Sequence, residues 1–525
     1  MKCAAALTVA LFVAVALLFA GTSMDDPFIY ARYARNLLEL HSVVFSAGGP
    51  RVEGVSSWLW TLVYAAGEAL GLPPLALPRG LGIALGALLV ASVVRQILKR
   101  GTGVSAWVAL VFLATAVDLA FYASCGMDHV LWALVAWLFL IHVGTAKRVE
   151  RRHYLLAALG FFVRPEGFLL FIPVFARQLV DERRETSARA AGVRILATAS
   201  PGLALHAGFI GLRWMVFGRL LPNAAAAKHL GGPMMGRLFD GLVYLGAGLQ
   251  LYAMPVAVAL AVAIVAPPSR DEEQVGIPAV AFVLASLGMI LLGGGDDFSA
   301  FGDTRLITPL IGPLTLLFVL ALRGVETRPM PWLRASALIV ALCSIRLPKA
   351  LALLKWSTAA NNLSTPTQVF TGWVQGFRSQ APMPLSVYLL RVTPKEELIA
   401  VPWAGRVPFE TNLRTIDLLG LNDPHIATVQ ATERGVDVRY DASYVLAARP
   451  YFICENFKVR GSLEDVARAS DGELRRSGAI KLGQVALLRN PDLARFYEID
   501  PEAPLEGTCL VRRPPRGSLE QPSPE

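Results

Sequence analysis

Apolar residues fill most of the first two thirds of this chain in long blocks separated by short polar or basic stretches. The blocks fall at 4–21, 56–72, 79–97, 104–122, 127–144, 153–176, 193–217, 239–266, 275–293, 305–322 and 332–353. Most come near the roughly 20 residues that an α-helix needs to cross a bilayer. After Leu353 the apolar runs shorten and Pro and Gly multiply. The pattern predicts a polytopic α-helical membrane module over residues 1–353, with about 10–12 membrane segments, and a soluble C-terminal α/β domain over 354–525. Within the tail, Leu398–Pro402, Tyr444–Ala447 and Ala479–Leu488 read as short strands, and Glu464–Arg476 reads as an amphipathic helix. The last dozen or so residues, rich in Pro, Ser and Glu, carry the composition of disorder.

Composition supports the membrane assignment. The chain is 54% hydrophobic and 17% charged, with a mean hydropathy of +0.50. A soluble domain carries about 25% charged residues. The net charge of +9 does not point to nucleic acid, because it is all in the membrane part. Up to Leu353 there are 29 Lys and Arg against 20 Asp and Glu, and from Leu354 onward there are 20 of each. Basic residues beside spans are topology signals. Lys147, Arg148, Arg151 and Arg152 mark one cytoplasmic loop, and Arg177, Arg183, Arg184, Arg189 and Arg194 mark the next. Both flank segment 153–176, which therefore enters and returns, turning near Arg164-Pro165. Counting onward puts the tail outside the cytoplasm. Counting back fails unless one segment between 56 and 122 does not cross, or Arg95, Lys99 and Arg100 are not on the inside. Met1–Ala20 has no convincing cleavage site before Asp25 and is expected to stay as a first helix. Five cysteines show no metal spacing; Cys454 and Cys509 are the two in the tail and could pair in an oxidising compartment.

Against this background several charges stand out. Asp25-Asp26 follow the first apolar block, and Pro27 opens a segment of interleaved Tyr and Arg. Glu53, Asp128-His129, Asn223 with Lys228, Asp296-Asp297 and Asp303 with Arg305 fall on the same outer side in this topology. Arg164 and Glu166 sit at the hairpin turn. Each alone reads as a cap or a structural ion pair. Their convergence is a functional hypothesis, because charge in a bilayer is expensive. Carboxylates beside Arg and Lys suit a reaction in which a hydroxyl loses its proton while a phosphate leaves. No Walker or Rossmann fingerprint is present, which argues against a soluble nucleotide donor.

The residues Asp25-Asp26-Pro27 through Asn36, Val52-Glu53-Gly54 through Trp60, Arg164-Pro165-Glu166-Gly167, Leu221-Pro222-Asn223, Ala227-Lys228, Gly294-Gly295-Asp296 with Arg305, and Arg414 through Asp423 occur in an order that resembles the GT-C superfamily of polytopic glycosyltransferases. Within it, the chain looks most like the mycobacterial terminal arabinofuranosyltransferase (AftB-like) group. The resemblance implies an inverting transferase that takes a sugar, a pentose such as arabinofuranose among the candidates, from a polyprenyl-phosphate donor in the membrane lipid. The acceptor is a cell-envelope glycan or glycolipid. It implies a catalytic base at Asp25 or Asp26, and a lipid-phosphate site at Arg164, Lys228 and Arg305. Substrate contacts fall to Glu53, Glu166, Asn223, Asp296 and Asp297, with Asn422, Asp423 and Arg406 as tail residues facing sugar hydroxyls or merely forming turns. A divalent cation is compatible with the carboxylates, but no ligand spacing demands one. The site and tail are expected to face the periplasm or exterior of a bacterial inner membrane, the tail covering the site's mouth. Two departures, Ala224–Ala227 and the doubled Asp296-Asp297, put the sugar in doubt and keep alive a lipid-glycan-binding pseudo-enzyme. A lipid-linked glycan transporter is the other alternative.

Overall fold

A computed structural model gives the structure, described here for residues 1–22, 24–101, 103–229, 234–249, 270–296, 305–326, 382–429, 440–455, 462–470, 472–473, 482–504 and 509–514. The expected segment 332–353 and the second half of 239–266 lie outside these residues. The chain forms two compact units: 1–27 with 56–221 and 233–380, and 28–55 with 222–232 and 381–525.

The first unit is helical. Ala76–Arg100, Ala188–Phe217 and Glu272–Gly293 are long and apolar enough to cross a membrane. Among the described residues, Val104–Ala114 and Val117–Ser124 make a fourth span if read as one helix bent by 41°. The bend falls where the Thr115 hydroxyl donates back to the Val111 carbonyl at 2.9 Å, a bond that competes with the helix ladder. Lys2–Leu18, His129–Thr145 and Thr308–Ala321 are shorter apolar helices.

The helix Trp58–Ala69 has 12 residues, or about 18 Å at 1.5 Å per residue, well short of a ~30 Å hydrocarbon core. Its Trp60 Nε1 and Tyr64 hydroxyl both donate to the Gly126 carbonyl, at 2.8 and 2.9 Å. A Cβ at Gly126 would meet Tyr64, Leu75 and Pro27, so these four backbone positions share one end of the bundle. At that same end Arg79, fully buried, donates to the Thr22 carbonyl. Just past the far end of the Arg79 helix, a Cβ at Gly101 would lie 4.0 Å from Arg323 Nε. Trp58–Ala69 thus packs at the end of the bundle that holds Gly126 and Arg79.

Segment 153–176 turns as its sequence predicts. The helix Arg151–Val163 stops at Arg164, which is extended (φ −156°, ψ 154°), and a 3-10 turn over Pro165–Leu170 leads into the helix Phe171–Glu185. Pro165 favours this extended geometry in the residue before it. The backbones touch as the chain doubles back: a Cβ on Gly167 would lie 2.1 Å from the Gly160 carbonyl carbon. The two ends also meet, Arg148 Nη2 lying 3.1 Å from Glu185 Oε1.

The second unit is built on a five-stranded sheet in the order β2-β1-β3-β5-β4. Its strands are β1 (Leu398–Val401), β2 (Arg414–Asp417), β3 (Phe452–Cys454), β4 (Tyr497–Ile499) and β5 (Cys509–Arg512). β1 runs parallel to β2 and β3, while β5 pairs antiparallel with β3 and β4. Alternating side chains feed a core on each face: Ala400, Ile416, Ile453 and Leu510 on one, Ile399, Val401, Phe452 and Cys509 on the other. Cys454 and Cys509 sit opposite each other on β3 and β5 and form a disulfide.

Two expected strands are helices. Ala442–Ala447 is capped by Asp441, whose Oδ1 accepts from the Tyr444 amide at 2.9 Å. It buries Ala442, Val445 and Leu446, a 3-and-4 spacing that a short apolar run conceals. Leu482–Leu488 is likewise helical, and the expected helix Glu464–Arg476 is the shorter Leu463–Arg468, capped by Ser462.

Candidate active site

Pro27 stands one residue after Asp26, so Asp26 opens the helix Asp26–Glu39 with its carboxylate near the free backbone N–H groups of the first turn. Asp26 Oδ2 lies 3.0 Å from Arg305 Nη1, its side chain 12% exposed. Arg305 is buried and also donates from Nε to Asp296 Oδ2 at 2.6 Å. Two glycines with positive φ, Gly294 and Gly295, lead into Asp296. Gly295 packs against the Tyr244 ring, and the Tyr244 hydroxyl accepts from the Leu306 amide at 3.1 Å, bracing the residue after Arg305. Asp25 precedes this group and is half-buried.

A second group gathers at the hairpin turn. Arg164 donates from Nη1 to the fully buried Asp128 at 2.8 Å, and from Nε and Nη2 to the two oxygens of Glu166 at 3.1 Å each. The fork-to-carboxylate arrangement fixes both partners in plane. Ser56 Oγ lies 3.5 Å from Asp128 Oδ2 and His129 Nδ1 3.6 Å from Asp128 Oδ1. Next to this group, the His129 ring lies 5.1 Å from that of Tyr122. Sequence reasoning passed over Tyr122 and Tyr244, which sit inside apolar stretches with no local signal.

The structure therefore brings Asp26, Asp296 and Arg305 together, and separately Arg164 and Glu166 with Asp128. Asp297 lies outside the described residues, and so does the side chain of Lys228, whose backbone belongs to the helix Asn223–His229. Among the described residues no three His, Cys, Asp or Glu side chains converge as a metal cage.

Glu53 and Asn223 belong to the second unit and are stitched into it. The Asn223 amide N–H bonds the Glu53 carbonyl at 2.9 Å. Asn223 Nδ2 donates to the carbonyls of Gly420, Leu421 and Asp423 at 2.8, 3.1 and 3.2 Å. The loop it grips wraps Asp417, whose carboxylate accepts from the Leu419 amide and from both nitrogens of Asn422. Burial pushes Asp417 up to about 7 despite these donors. A Cβ on Gly54 would run into the Asn422 and Tyr33 side chains. Arg32 binds Asn412 and the carbonyls of Phe45 and Leu413. Asp423 holds the amides of His425 and Ile426 and the Tyr444 hydroxyl, all at 2.9 Å; Arg406 pairs with Glu410 at 2.7 Å. The described bonds of Arg32, Asn223, Asn422, Asp423 and Arg406 thus run within the second unit.

With this geometry in hand the chain can be compared with known proteins. Residues 375–497 match a family described as a domain of unknown function (DUF8728). No curated protein matches the chain. Among solved structures it is similar to the Archaeoglobus fulgidus oligosaccharyltransferase in complex with Zn and sulfate, at 12% identity and a TM-score of 0.50, covering 94% of this chain and 71% of that one. It also matches ArnT from Cupriavidus metallidurans bound to undecaprenyl phosphate, at 15% identity and a TM-score of 0.43, covering 96% and 97% of the two chains. The apo form of that ArnT matches at 14% identity with the same score. The oligosaccharyltransferase likeness is one of fold. The chain is a polytopic helical protein whose fold is similar to that of the oligosaccharyltransferase, and it carries a small C-terminal α/β unit.

Proposed function

We propose that this protein is a membrane glycosyltransferase that moves a sugar from a polyprenyl-phosphate carrier to a cell-envelope glycan or glycolipid. The observation that carries the reading is the Asp26–Arg305–Asp296 group, a half-shielded carboxylate held by a buried arginine at a helix start. The shared fold with an oligosaccharyltransferase adds to it, although a fold alone does not set a reaction.

In the proposed step an acceptor hydroxyl oxygen bonds to the anomeric carbon. The bond from that carbon to the carrier phosphate breaks, and the phosphate leaves with the electron pair. The hydroxyl proton passes to Asp26 or Asp25. A single displacement inverts the anomeric centre. Arg305 orients Asp26 and, with Arg164, offers positive charge to the leaving phosphate. Lys228 keeps the phosphate role that the resemblance implies. We place the site and the C-terminal unit outside the cytoplasm of a bacterial inner membrane. The Cys454–Cys509 disulfide supports this, since such bonds persist in oxidising compartments. An arabinofuranosyl donor is the first sugar to test.

The test is transfer from synthetic polyprenyl-phosphate sugars by the purified full chain. Product that disappears in Asp25→Asn or Asp26→Asn supports the reading. Full activity in the double variant removes the general-base role, and carrier binding without product in the wild type favours the pseudo-enzyme.

A further inference from the structure

We propose that the groove between the helix Lys2–Leu18 and the C-terminal half of Ala76–Arg100 binds an anionic phospholipid, one acyl chain along its floor and the phosphate on Arg95 and Lys99. The groove measures about 470 Å³, with Ala5, Ala6, Ala91 and Val94 in its walls and Arg95 and Lys99 at its rim. That volume lies within the roughly 300–1,000 Å³ of ordinary ligand sites. Small side chains on both helices leave the space open. Ala91, Arg95 and Lys99 are spaced by four residues, so they stack along one helix face that turns from apolar to basic toward its end.

The charges at this end of the first unit differ in one respect. Arg323 pairs with Glu272 at 2.7 Å, Arg184 with Glu273 at 2.9 Å, and Arg148 with Glu185 at 3.1 Å. Among the described residues no carboxylate pairs with Arg95 or Lys99. Neither Lys2–Leu18 nor Ala76–Arg100 contains an Asp or Glu, and Lys2 adds a further cation at the start of the first helix. Topology alone does not need two further basic side chains beside an apolar groove, because the paired arginines already mark this end. An anionic headgroup above an acyl chain matches both halves of the site.

The occupant is a bilayer phospholipid and not the sugar carrier of the proposed reaction. Arg79, on the same helix, lies at the Asp25 end through its bond to Thr22. From Arg79 to Arg95 is 16 residues, about 24 Å of helix. A carrier phosphate seated at Arg95 would be that far from the proposed chemistry.

The experiment uses the full chain, delipidated in detergent and mixed with phosphatidylglycerol, phosphatidylcholine or undecaprenyl phosphate, with thermal unfolding and native mass spectrometry as readouts. Phosphatidylglycerol is expected to bind one molecule and raise the Tm. Binding should weaken about fivefold for each charge removed in Arg95→Gln and Lys99→Gln, the yield of a basic side chain at an anionic surface. Ala91→Trp, which fills the groove and keeps both charges, should abolish the bound lipid, while Lys147→Gln should leave it in place. Equal binding by the wild type and the double variant, equal protection by phosphatidylcholine, or preferential capture of undecaprenyl phosphate by Arg95 and Lys99 would each overturn the proposal. Loss in Lys147→Gln as great as in Arg95→Gln would also overturn it, by reducing the effect to general surface charge.

Discussion

Arg305 reaches Asp26 across 279 residues of chain, Nη1 to Oδ2 at 3.0 Å, while its Nε holds Asp296 at 2.6 Å. One guanidinium therefore sets the position of two carboxylates in a buried environment. If Asp26 is the base, Asp26→Asn should lower transfer by at least ~10²-fold, the usual yield of general-base catalysis. Arg305→Lys should also lower kcat, because an ammonium cannot grip two carboxylates in fixed geometry. Asp296→Asn should lower it less, as Arg305 keeps Asp26. Single-turnover assays rank the three. A ranking with Asp296→Asn most damaged would move the base away from Asp26.

The hairpin makes a geometric prediction. Arg148 and Glu185 are exposed and meet at 3.1 Å although they flank some thirty-five residues of helix and turn. Cysteines at these two positions should cross-link in intact membranes, and impermeant thiol reagents should reach both from one side. Labelling from opposite sides would mean that the segment crosses. Gly167→Val should destabilise the hairpin by about 1–3 kcal/mol or more, since the added side chain runs into the Gly160 backbone.

The membrane helices and this turn were legible because bilayer helices need long apolar runs and because Arg164-Pro165 breaks one such run in the middle. The candidate site was legible as a set of charge types. Its pairings were not, since Asp26 and Arg305 meet only through tertiary packing. The partners of Asn223 were equally hidden, since its amide donates to three backbone carbonyls of one loop nearly two hundred residues away. A sequence does not distinguish a polar group that binds a ligand from one that binds its own chain. The short strands β2, β3, β4 and β5 escaped notice because three or four residues carry too little periodicity.

Asn223→Ala should loosen the second unit. It removes the Nδ2 donor from the carbonyls of Gly420, Leu421 and Asp423 inside a buried site. Leaving buried acceptors without a partner costs about 1–3 kcal/mol. Limited proteolysis of the 382–514 region should speed up, and Asn223→Asp should behave the same way because a carboxylate cannot donate. Unchanged proteolysis in both variants would show that Asn223 does not brace this loop.

Asp417 makes the second unit sensitive to pH in a direction that can be worked out. Burial raises its pKa from 3.8 to about 7. Below 3.8 both folded and unfolded chains carry the proton, and this group adds no pH dependence. Between 3.8 and about 7 the unfolded chain gives up the proton and the folded unit keeps it, so stability falls as pH rises. Above about 7 the folded carboxylate is ionised as well, and the loss is complete. Asp441 does not confuse this window. Burial raises it, but hydrogen bonds from His425 and the Tyr444 amide outweigh burial and lower its pKa from 3.8, so it titrates below the range. Asp417→Asn removes the ionisable group at the expense of one accepted bond, lowering stability at acid pH by about 1–2 kcal/mol. The wild type should therefore lose stability relative to Asp417→Asn between pH 4 and pH 7. Thermal unfolding of both chains at intervals across this range measures the difference, and a gap that stays constant or widens in favour of the wild type with rising pH would show that Asp417 is ionised in the fold from the start.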